Sequence, residues 1–238
     1  MIDDQTDEKP ASEISKLRQR YADIVILRAS VQAIPYIGGS LDTLLAGRAA
    51  QIHLERVEKF VNDLSHRLAA VESVSVNLND EAFADLMLST FEQVARTRSD
   101  QKRFRFAEII TNQVTKPTLW EEPENAVRLL SDLEDIHIEI IEAALHAPVA
   151  EGVFSNLRVI SLDTESIDNG KQNAPIPLLT SFPCYGAAAL RMACAELTAK
   201  GLLHDEGIGR WDMGAMKYFV PTDLAEWLSE WISQTHRK

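Results

Sequence analysis

Along most of the chain, apolar positions recur with helical rather than alternating spacing. Ile14, Leu17, Tyr21, Ile24 and Val31 share one stripe behind a Ser12 cap, with Arg28 interrupting it. Pro35 ends that helix by Ile34, and Gly38–Gly39 supply turn freedom. Ser40 caps a second helix that meets no breaker until Ser73. Its apolar positions are Ala50, Leu54, Val57, Val61, Leu64, Leu68 and Val71. They are spaced 4-3-4-3-4-3, the period of a coiled coil. This stripe is expected to be buried, against the next helix or against a second chain.

Asp80 caps a third helix carrying Phe83, Leu86, Met87, Thr90, Phe91 and Val94. The polar run from Arg96 to Asp100 breaks it. Ser99 or Asp100 then starts a fourth helix that ends near Thr115, before the Lys116–Pro117 stop. Trp120 to Pro123 reads as a linker. A fifth helix is expected from Glu124 to His146, with Val127, Leu130, Leu133, His137, Ile140 and Ala144 on one stripe.

Beyond residue 150 the pattern changes. Leu157 to Asp163 reads as a short strand. Asn169–Gly170 marks a turn, and Pro175, Pro177 and Pro183 keep the chain irregular. A helix follows from Tyr185 to Lys200, with Gly201 as its C′ residue. Leu202–Glu206 and Lys217–Pro221 read as strands around a Gly207–Gly214 loop. Thr222 or Asp223 caps a last helix holding Leu224, Trp227, Leu228, Trp231 and Ile232.

This pattern gives a mainly α fold class. Residues 1–11 form a disordered tail. An N-terminal bundle with one long coiled-coil-like helix spans 12–123. A second domain, 124–238, has a small β-wing and an irregular insertion at 148–183. The phrase Leu190–Arg191–Met192–Ala193–Cys194–Ala195–Glu196–Leu197–Thr198–Ala199–Lys200–Gly201–Leu202–Leu203 resembles the end of a winged-helix recognition helix and its entry into the wing. Tyr218–Phe219–Val220–Pro221–Thr222–Asp223–Leu224 resembles the return strand and closing helix of that family. Ala225 or Glu226 stands where many members have Gly. The resemblance covers Ser181 to Ser233 and implies a helix-turn-helix domain with nucleic acid as one ligand. The N-terminal half resembles helical bacterial proteins without an assigned activity.

Charge changes that picture. The 24 basic residues against 36 acidic ones give a net charge of −12, which repels phosphate backbones at long range. On the recognition-like helix and wing, the nucleic-acid contacts would be Arg191, Lys200 and Arg210. A reader of duplex DNA ordinarily brings more cations. The strongest local basic cluster is Arg96, Arg98, Lys102, Arg103 and Arg105, interleaved with Phe104 and Phe106. Arg98, Lys102, Arg103 and Arg105 are its candidate contacts to an anion or an acidic partner. Cations at a helix start oppose the macrodipole, so they invite a compensating anion.

No catalytic, cofactor or metal motif emerges. Cys184 and Cys194 are ten apart, without a C-x-x-C. The histidines, His53, His66, His137, His146, His204 and His236, show no H-E-x-x-H spacing. No Gly-rich phosphate loop or G-x-S-x-G is present, and Asp163, Glu165 and Asp168 lack calcium-loop spacing. Ile24 to Gly47 is interrupted by Arg28, Gln32, Pro35 and Asp42, so it is not a spanning segment. Met1 to Pro10 has no secretory character, which points to a cytoplasmic location with reduced thiols.

The resulting expectation is a non-catalytic bacterial interaction or regulatory protein without cofactors. It would act through helical self-association, as a homo-oligomer, or through a protein partner. The alternatives are a winged-helix DNA-binding transcriptional regulator, or a membrane-associating effector that uses the apolar 34–47 hairpin as a peripheral contact.

Overall fold

The computed structural model describes residues 48–69, 81–162, 174–208 and 214–233. The tail, the first helix, the 34–47 hairpin, Asn169–Gly170 and Arg210 lie outside the described residues. The chain divides into two compact units that meet between Ser131 and Asp132. It is mainly helical, with one small sheet.

In the first unit, α1 spans Arg48–Ala69, α2 Glu81–Arg96, α3 Asp100–Thr115 and α4 Glu121–Ser131. The later part of the long apolar stripe is covered within the chain, while Val57 is half-buried. Val61, Leu64 and Leu68 are buried, and α1 packs against α2 and α3. Phe60, one position before the stripe residue Val61, is buried too and meets Phe91 edge-on at 5.8 Å between ring centres. All six residues expected on the inner face of α2 are buried: Phe83, Leu86, Met87, Thr90, Phe91 and Val94. Ser99 is the N-cap of α3, its side chain accepting from the Lys102 N–H at 3.1 Å.

Two expectations are corrected here. Trp120–Pro123 is not simply a linker, because α4 already begins at Glu121. Pro123 falls in the first turn, where a missing N–H costs little, and Glu121, Glu122 and Glu124 complement the positive end of the helix. The single helix expected from Glu124 to His146 is also two helices, α4 and α5 (Asp135–His146). Local capping overrides the continuous stripe. Lys102 Nζ donates to Ser131 O, the last carbonyl of α4, at 2.8 Å. Glu134 is the extended N-cap of α5, and its N–H donates to His137 Nδ1 at 2.9 Å. Leu133 stays fully buried across the break, which is why the periodicity alone did not reveal it.

The second unit contains α5, α6 (Leu178–Ser181), α7 (Ala187–Ala199) and α8 (Asp223–Ile232). Its strands are β1 (Ile160–Ser161), β2 (Ile176–Pro177), β3 (Leu203–Asp205) and β4 (Tyr218–Pro221), in sheet order β2-β1-β4-β3. β1 and β2 are parallel, while β4 is antiparallel to both of its neighbours. His204 pairs with Val220 and Ile160 with Phe219. Ala150, Phe154, Val159, Tyr218 and Val220 form one buried cluster beside this sheet. Gly201, at φ 73°, ends α7 in the left-handed conformation expected of a C′ residue. Thr222 caps α8 and also donates to Gly201 O at 2.7 Å, tying the helix start to the end of α7.

Candidate functional site

The basic cluster near residue 100 lies at the junction of α2 and α3, where two helix C-termini gather. Lys102 is only 8% exposed, with its ammonium on the last carbonyl of α4. Arg103 is 5% exposed and donates to Thr97 O at 2.8 Å and Arg98 O at 3.1 Å, just past the end of α2, besides pairing with Asp100. Arg56 of α1 donates to Ala95 O at 3.0 Å in the same place. Carbonyls at a helix end lack intrahelical donors and carry the negative end of the dipole, so these cations supply what that end needs. Arg105 is half-buried, and Arg98 is the exposed member of the four. Phe106, Ile109 and Ile110 are fully buried beneath them.

Sequence reading missed the polar core of α3. Glu108 is 2% exposed and forms an ion pair with Arg67 of α1, whose guanidinium lies 3.7 Å from the Phe104 ring centre. Burial pulls Arg67 below its ordinary pKa, with Asp63 acting the other way. Gln113 is fully buried and holds the chain at Thr118. Gln113 falls three and four positions after Ile110 and Ile109, on their helical stripe, and that polar residue on an apolar stripe was the available signal.

On the second unit, α7 is fastened to its own unit by polar side chains along one edge. Tyr185 Oη donates to Glu139 at 3.1 Å, His137 Nε2 lies 2.8 Å from Glu196, and Lys200 lies 3.2 Å from Asp132. The Glu134 N–H at Nδ1 makes that nitrogen the acceptor, which leaves Nε2 to donate to Glu196. Burial raises the Tyr185 phenol, helped by the hydrogen bond to Glu139 and by nearby negative charge. Arg191 is exposed, Lys200 is paired, and Arg210 is outside the described residues. The rest of the outward surface is Ala187, Ala188, Ala189, Met192 (64% exposed), Ala195 and Ala199.

The remaining polar features are structural or open to solvent. Buried Asp205 accepts from the Gly207 N–H at 2.9 Å and the Met216 N–H at 2.6 Å, closing the neck of the β3–β4 loop. A Cβ on Gly207 would sit 2.3 Å from Gly214 O, so only glycine fits that neck. An open groove of about 390 Å³ between α2 and α4 is lined mostly by polar side chains, among them Asp85, Glu124 and Arg128. Cys184 is exposed; Cys194 is buried, and burial pushes its thiol up to about 12. Among the described residues, no three His, Cys, Asp or Glu side chains converge as metal ligands, and no helix is long and apolar enough to cross a membrane. Family models, curated proteins and solved structures were compared with the chain, and none matches.

Proposed function

We propose that this chain is a non-catalytic interaction or regulatory protein whose contact face is the outward side of α7. One observation carries this reading: a helix fastened along one edge by three polar contacts leaves alanines and Met192 in water, with Arg191 the only unpaired cation described there. Small side chains let a second backbone approach closely, and a flexible methionine adapts to the surface it meets. The same face is poor in the phosphate contacts that nucleic-acid binding requires. Val61, Leu64 and Leu68 of the stripe on α1 are buried in the chain, so α7, not α1, carries the association surface in this reading.

The test is Met192→Glu with Ala195→Glu in the full chain. Both side chains are exposed, so the melting temperature should hold. Self-association measured by sedimentation velocity, or binding of a purified partner, should be lost. Unchanged association in the double variant would remove α7 as the contact face.

A winged-helix DNA regulator is the second reading. It is favoured by the β1-β4-β3 antiparallel order, with α7 immediately before β3 and a loop between β3 and β4. It requires salt-sensitive duplex binding tighter than about 1 μM that Arg191→Ala abolishes. Absence of such binding at physiological salt would end this reading.

A further inference from the structure

The connection between α3 and α4 holds the most exposed large apolar side chain among the described residues, Leu119, at 73%. Single exposed leucines are ordinary on protein surfaces. What sets this one apart is the device beneath it. Gln113, on the buried side of α3, is wholly inside, where an aliphatic residue would fill the space without polar atoms to satisfy. Its amide meets the chain at Thr118 in both directions: Nε2 donates to Thr118 O at 3.2 Å, and Oε1 accepts from Thr118 N–H at 3.1 Å. On the other side, Leu119 O accepts from Glu122 N–H at 3.0 Å, fixing the loop to the first turn of α4. Trp120 leans on buried Phe83, ring centres 6.2 Å apart. The backbone is thus pinned immediately before and at Leu119, while the leucine side chain stands in water.

We infer that Leu119 is a pre-positioned anchor for a protein partner, one offering a leucine-sized apolar pocket bordered by lysine or arginine. A pinned loop has little conformational freedom left to lose on docking, so the apolar burial goes largely into affinity. The sign of the border is set by Glu121, Glu122 and Glu124, which outnumber the one exposed cation, Lys116, within five residues of the anchor. The same carboxylates, on a chain of net charge −12, oppose an anionic membrane surface. This surface lies in the first unit and does not depend on the α7 reading.

The test places the photo-crosslinker p-benzoylphenylalanine at position 119 of the full chain, in cells that naturally make it, with the same probe at exposed Val153 as control. The expected result is one discrete protein adduct from position 119, none from 153, and loss of the adduct with Glu121→Lys and Glu122→Lys together. With that partner purified, Leu119→Ala should weaken binding about tenfold or more at an unchanged melting temperature. Gln113→Leu, which keeps the core volume and releases the loop, should weaken it in the same direction. Met192→Glu should leave the 119 adduct in place, so failure here and failure of the α7 reading are distinguishable. No adduct at 119, an adduct indifferent to the charge reversal, or Leu119-dependent binding to phosphatidylcholine vesicles instead would each overturn the inference.

Discussion

Two helices make opposite use of their composition. α3, Asp-Gln-Lys-Arg-Phe-Arg-Phe at its start, is rich in charge, yet eleven of its 16 residues are buried, Lys102, Arg103 and Glu108 among them. α7 is mostly alanine and other apolar residues, yet only Leu190, Ala193, Cys194 and Leu197 of its 13 are buried. A cation can sit inside when it meets a helix end or a carboxylate, as Lys102, Arg103 and Arg67 do. An alanine loses little by staying outside, because its methyl group covers little area. Charge density along a sequence therefore says less about exposure than the partners that tertiary packing brings to each charge.

The largest test of that contrast is Glu108→Ala. It leaves the Arg67 guanidinium largely buried without its carboxylate and should cost about 3–5 kcal/mol in urea unfolding. A cost under about 1 kcal/mol would mean that the pair is hydrated. Leu64→Ala, at a site with no exposure, should cost about 2–5 kcal/mol. If that loss also varies with protein concentration, the stripe is shared with a second chain after all.

The four cations of the basic cluster should then separate. Lys102→Ala and Arg103→Ala should each cost about 1–3 kcal/mol, because they strand carbonyls at helix ends. Arg98→Ala should stay within about 0.5 kcal/mol, as for any exposed residue. Equal small effects at all three would return the cluster to the surface. In the second unit, Thr222→Ala removes the cap of α8 and its tie to Gly201, and should lower stability by about 1 kcal/mol on the same urea scale.

The smallest effect at neutral pH concerns Cys194. Its folded-state thiol is raised from an ordinary 9.0 to about 12. The unfolded chain therefore ionises first as pH rises, and the contribution present below pH 9 is lost progressively toward about 12. Unfolding midpoints followed upward from pH 8 should fall less steeply in Cys194→Ala than in the parent. A thiol reagent should label Cys184 in the native protein and reach Cys194 only on unfolding. Native labelling of both would show that α7 opens readily.

Much of the helical order was legible in the sequence because period and caps agree there. The inner face of α2, the Ser99 start of α3, the Gly201 end of α7 and the Thr222 start of α8 each follow from a side-chain pattern acting over one or two turns. The break between α4 and α5 was not, because Leu130, Leu133 and His137 keep one stripe through it, and the donor that closes α4 comes from Lys102, 29 residues earlier. The same limit applies to function. The sequence marks Arg98, Lys102, Arg103 and Arg105 as a basic run and does not single out Leu119. Only the fold decides that two of those cations are held by helix ends, and that Leu119 stands exposed on a loop pinned by a buried glutamine. Propensity and capping act between neighbours in sequence, whereas burial and long-range hydrogen bonds depend on which distant segments the chain brings together.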